Sequence, residues 1–230
     1  MGDVIRKDSA VIDIIADIKA TYAKARAKGG IIQPIAEEKL GPTVELLTFT
    51  EGRLLKAREE YGPLHAALEV MDEESDLLLK KTADDIWNAI GRPASDPAYE
   101  ILFPGGVSYY ADGSDEDQPN RMELLAELLE SGVHARLDKE LAQHSAASIR
   151  SQANKYRELL DNLRMPKARV ALLEKVWMAI ARSAQTELVR LKRRYKSEGL
   201  SEAEIHSVIP DRPRAVGFTS VAAASTPEKP

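Results

Sequence analysis

The sequence predicts an all-α protein, an antiparallel helical bundle made of two long helical hairpins plus an N-terminal helix. Three observations carry that prediction. Apolar residues recur every three or four positions through most of the chain, which is the period of one helix face. Short Gly and Pro signals divide that pattern into segments. Before the tail, only one stretch, residues 91–119, lacks the period, and it joins the two halves as a long ordered loop or a short β-hairpin. The hairpins are expected at about 34–90 and 133–198, within a single helical domain spanning 1–209.

The leading helix carries Val11, Ile14, Ile15, Ile18, Tyr22 and Ala25, with Asp8 or Ser9 able to cap its start and Gly29-Gly30 its end. A second helix is expected from Pro34 to a stop at Tyr61-Gly62, its stripe running through Leu40, Val44, Leu47, Leu54 and Ala57. Pro63 then suits the first turn of a third helix, which holds Leu64, Leu68, Met71, Leu78 and Ile86 before Gly91. After the central stretch, Met122, Leu125 and Leu128 mark a short helix that bends at Ser131-Gly132. The next stripe is Leu137, Leu141, Ser145, Ser148, Gln152, Tyr156, Leu159 and Leu163, and Met165-Pro166 reads as a turn. The partner helix follows through Val170, Leu173, Trp177, Ile180, Ala184, Leu188, Leu191 and Tyr195. "LSEAEIHSVI" is a last short helix opened by a capping box, Ser201 with Glu204. Residues 210–230 have too little apolar content to bury a face and are expected to be a disordered tail.

Composition narrows the chemistry. The absence of cysteine excludes thiol nucleophiles, disulfides and thiolate-bound metals. Asp3, Asp8, Asp13 and Asp17 interrupt the apolar residues at the start, so that no signal peptide or membrane span is read there, and a cytoplasmic protein is expected. No nucleophile elbow, phosphate-binding loop or dinucleotide fingerprint occurs, and the carboxylates Asp112, Asp115 and Asp117 lack the spacing of a calcium loop. Di-iron bundles need Glu-x-x-His, whereas Glu130 to His134 and Glu140 to His144 are four apart and read as exposed pairs. His65 and His206 read as surface residues. No metal and no cofactor is expected.

Three features remain as candidate sites. A polar belt in the second hairpin, His144, Ser148 and Gln152, could line a small-molecule site between facing helices. Residues 164–196 hold ten Lys and Arg against two Glu in a chain of net charge −5, and Arg190, Arg193 and Arg194 could meet an acidic partner or nucleic acid. In "EILFPGGVSYYADG", Phe103, Tyr109 and Tyr110 could anchor another chain or pack over the end of the same bundle. The expected function is a non-enzymatic interaction, structural or adaptor protein that self-associates, with a helical ligand or metal carrier and an anion-binding module as alternatives.

Overall fold

The computed structural model describes residues 10–210, so the cap candidates Asp8 and Ser9 and the tail from 211 onward lie outside the described residues. The order is α1 (Val11–Lys28), α2 (Ile32–Ala89), α3 (Pro97–Leu102), α4 (Ser108–Ala111), α5 (Gln118–Glu130), α6 (Lys139–Ser197) and α7 (Glu202–Val208). The protein is mostly helical, and no strand occurs among the described residues. No helix among them is long and apolar enough to cross a membrane.

Two expectations are corrected. Neither long hairpin forms: residues 32–89 are one helix and residues 139–197 are another, continuous through Gly62-Pro63 and through Pro166. An interior proline removes a hydrogen bond and costs about 3 kcal/mol against alanine. The apolar stripe holds its phase through the interruption and outweighs that cost. Leu54, Ala57, Tyr61, Leu64, Leu68, Met71, Ser75 and Leu79 follow one another at intervals of three or four and are all buried or half-buried, while Gly62 and Pro63 lie off the stripe on exposed positions. Around Pro166 the stripe runs through the buried or half-buried Tyr156, Leu159, Leu163 and Val170, and the half-buried Pro166 itself takes the position between the last two.

The chain divides into two compact units, one of Met1–Gly52 with Glu174–Pro230 and one of Arg53–Leu173. The boundaries fall inside α2 and α6. In the first, terminal unit, Ile14, Ile15 and Ile18 of α1 join Leu40 and Leu47 of α2, Leu188, Leu191 and Tyr195 of α6, and Ile205 and Val208 of α7 in one core. Each large side chain withdrawn from water there contributes on the order of 1.5–3 kcal/mol. Trp177 Nε1 donates to Glu51 at 3.3 Å and the Tyr195 hydroxyl donates to the Ile32 carbonyl at 3.0 Å, so α2 and α6 run antiparallel in this unit. The α7 capping box is formed in both directions between Ser201 and Glu204.

The second, central unit has its own core, in which Leu79 and Ile86 of α2 and Ala146, Ile149 and Ala153 of α6 enclose Leu102, Phe103, Tyr110, Met122 and Leu125. Here too α2 and α6 are antiparallel, with Glu60 against Arg169 at 2.8 Å and Asp72 against the Tyr156 hydroxyl at 3.3 Å.

Candidate functional site

The central stretch is ordered as two short helices rather than a β-hairpin. Asp96 caps α3 and Pro97 opens it, a start signal that the sequence displays in "SDPAYEIL". Gly105 and Gly106, at φ 76° and 92°, turn the chain after α3 in a conformation that side chains resist, and the Gly106 amide closes the turn on the Phe103 carbonyl. The turn seats α4. Trp87, Tyr99, Phe103 and Tyr110 then stack in sequence with ring centroids 4.7, 5.0 and 6.0 Å apart, and the Tyr110 hydroxyl donates to the Leu102 carbonyl at 2.7 Å. Burial pushes the Tyr110 phenol up to about 12. Phe103 and Tyr110 would have to leave this core to meet another chain. Tyr109, 46 % exposed, is the member of the expected anchor set with surface to offer.

Beside this cluster lies a polar constellation that sequence reasoning missed. The connection from α2 to α3 supplies Asp96, and the connection from α5 to α6 supplies His134 and Arg136. Asp96 Oδ1 accepts from the amides of Ala98 and Tyr99 at 3.0 and 3.1 Å, and Arg136 donates to Oδ2. Those donors hold the Asp96 carboxyl below its ordinary range, the Tyr99 amide contributing most. His134 Nε2 sits 3.3 Å from Asp96 Oδ1, but the alignment falls short of a hydrogen bond, and neither ring nitrogen has a hydrogen-bond partner although the residue is only 4 % exposed. The expected Glu130 to His134 pairing is therefore corrected. The helix ends at Glu130, which pairs with Arg150 instead, and His134 turns inward. A buried polar group without a partner costs about 1–3 kcal/mol, and native proteins ordinarily satisfy one with protein groups, ordered water or a ligand.

His134 also lines a cavity of about 300 Å³. Its apolar wall includes Leu102, Leu129 and Leu137, and its polar rim Lys139 and Gln143. The sequence signal for this site was weak, since a lone histidine after a helix end is ordinarily solvated; the Asp-Pro helix start was its readable half.

The polar belt takes a different position. Ser145 is buried, Ser148 and Gln152 are half-buried, and the Gln152 amide donates toward Met71 Sδ at 3.1 Å and Ser75 Oγ at 3.4 Å across the facing helix. His144 is exposed. One turn on, burial and the neighbouring Asp76 raise the Asp72 carboxyl above its ordinary range. Among the described residues no group of three His, Asp or Glu is placed to hold a metal ion.

The basic segment is largely paired within the chain. In the central unit Arg164 meets Asp161 and Arg169 meets Glu60; in the terminal unit Arg190 meets Glu187 at 2.6 Å, Arg194 meets Glu198 at 2.8 Å, and Lys192 and Lys196 converge on Glu202. Arg193 is exposed and has no ion pair among the described residues. Comparison with known protein families, with curated proteins and with solved structures finds no match to this chain.

Proposed function

We propose that this chain is a non-enzymatic structural or interaction protein that associates with a second copy of itself through the long helices of its central unit. The observation that carries the reading is a pair of apolar ridges left in water. On α2, Val70 and Leu77 stand two turns apart on one face, 55 % and 65 % exposed; on α6, Met165 and Leu172 do the same at 70 % and 61 %. Their surroundings have opposite charge. Around Val70, residues 59–76 hold seven Asp and Glu and no Lys or Arg, with Lys80 and Lys81 following one turn past Leu77, while Arg164, Lys167 and Arg169 stand around Met165 with no acid between 162 and 172.

A ridge in an acidic field on one helix and a ridge in a basic field on the other are complementary between two identical chains. A two-fold arrangement uses both ridges twice, which fits a closed dimer. Burial of the four apolar side chains supplies the affinity, and the charges supply register and a dependence on salt. Light scattering of the purified protein over a concentration series tests the reading. The expected result is a dimer at low salt that dissociates as salt rises and is abolished by Leu172→Glu. A monomer at every concentration, or a dimer indifferent to both Leu77→Glu and Leu172→Glu, overturns it.

A further inference from the structure

We infer that the cavity beside His134 binds a small amphipathic carboxylate, with its apolar body against Leu102, Leu129 and Leu137 and its head between Lys139 and the His134 imidazole. The size sets the body. An apolar cavity of about 150 Å³ takes up benzene, so the present cavity of about 300 Å³ suits a fused pair of rings or a chain of eight carbons. Its leucine walls favour a ligand with an apolar body, and its polar lining a polar head.

The head follows from the charges around the cavity. Asp96 is engaged by Arg136 and by two backbone amides. Glu130 is held at both oxygens by the Arg150 guanidinium, at 2.7 and 3.0 Å. Lys139 has no ion pair among the described residues, so the rim presents one uncompensated positive charge. His134 adds a buried imidazole whose Nε2 lies 3.3 Å from Asp96 Oδ1 without a hydrogen bond and whose Nδ1 has no hydrogen-bond partner, so Nδ1 is the ring atom left for a ligand. A carboxylate answers both, accepting from the ammonium and from a ring N–H, whereas a cation would face Lys139 and an uncharged head would leave that charge unmet. No step of bond making is implied. The site is one of binding, and it uses residues outside the ridges of the association surface.

Sodium octanoate and 1-octanol are the probes, titrated into the full chain by calorimetry and followed through the imidazole resonances of His134. Those resonances are assigned with His134→Gln or, should that variant not fold, by elimination with glutamine at His65, His144 and His206. Octanoate is expected to bind saturably, to shift the His134 resonances, and to bind about tenfold more tightly than octanol, the worth of one charge-assisted hydrogen bond. Lys139 is exposed, so Lys139→Gln should leave the fold intact and remove that preference. The proposal is overturned if octanoate does not saturate, if octanol binds equally well, if the His134 resonances stay in place, or if Lys139→Gln leaves the preference unchanged.

Discussion

The terminal and central units are built on the same two helices and solve burial differently. Around the terminal core the buried polar residues among those described are Thr21 and Thr50, and everything else in that core is aliphatic except Tyr195, whose hydroxyl meets the Ile32 carbonyl. The central unit buries Ser75, Thr82, Asp96, Gln118, His134 and Ser145. An aliphatic core asks only for close packing, whereas a polar one must supply a partner to every group it withdraws from water. The difference teaches where specificity resides: α1 and α7 cover an apolar stripe, while the segments from α3 to α5 bring charged and hydrogen-bonding groups inside.

The contrast predicts its largest effect in the terminal unit. Ile18 is fully buried among α1, α2 and α6. Ile18→Ala should cost about 2–5 kcal/mol by lost transfer energy and the cavity left behind, read as a lower denaturant midpoint. A loss under about 1 kcal/mol, no more than a surface change produces, would mean that the terminal core is loosely packed, and the comparison would fail.

In the central unit the sharper signature is pH, because two carboxylates there are shifted in opposite directions. Asp96 is held below its ordinary value of 3.8, so its charge stabilises the folded chain above that value, and the contribution disappears as pH falls through the lowered folded value. Asp96→Asn should therefore lower the melting temperature at pH 7 and have little effect under strongly acid conditions. Asp72 has the reverse sign. Its carboxyl is raised by burial and by Asp76, so its charge destabilises the fold at neutral pH and protonation relieves this as pH falls through the raised value. Asp72→Asn, which keeps an acceptor for the Tyr156 hydroxyl, should raise the melting temperature at pH 7 by a smaller amount, with the gain fading toward pH 3.8. Equal shifts at pH 7 and in acid for either variant would show that packing rather than charge governs the site.

Local signals were legible where one residue settles one structure. Gly29 takes φ 67° at the end of α1, and Ser201 with Glu204 opens α7. The helical class followed from the period of the stripe. What misled was punctuation: Gly62-Pro63 and Met165-Pro166 carry the signs of turns, and their cost is local, whereas the stripe that overrides them is summed over many residues on both sides. The phase of that stripe was itself readable, since Ala57, Tyr61, Leu64 and Leu68 keep the helical interval across the proline. Asp96 and His134 lie 38 positions apart in two connections, so no periodicity joins them, and the ring contacts that seat Phe103 and Tyr110 arise from the turn at Gly105-Gly106.

The smallest predicted effect bears most directly on that misreading. Gly52 and Gly62 both lie inside α2, and a β-carbon built at either meets nothing within 4 Å. One sits at the last position of the terminal unit's share of α2 and the other in the central unit. In a continuous helix alanine is favoured over glycine by roughly 0.5–1 kcal/mol, since it loses less backbone freedom on folding. Gly52→Ala and Gly62→Ala should each stabilise the protein by about that amount, and the double variant by their sum, because sites more than 7–10 Å apart combine independently. If Gly62 instead ended a helix at a hairpin turn with positive φ, alanine would be strained there and Gly62→Ala would destabilise while Gly52→Ala still gained. The sign at position 62, measured against the gain at position 52, thus separates one 58-residue helix from two helices joined by a turn.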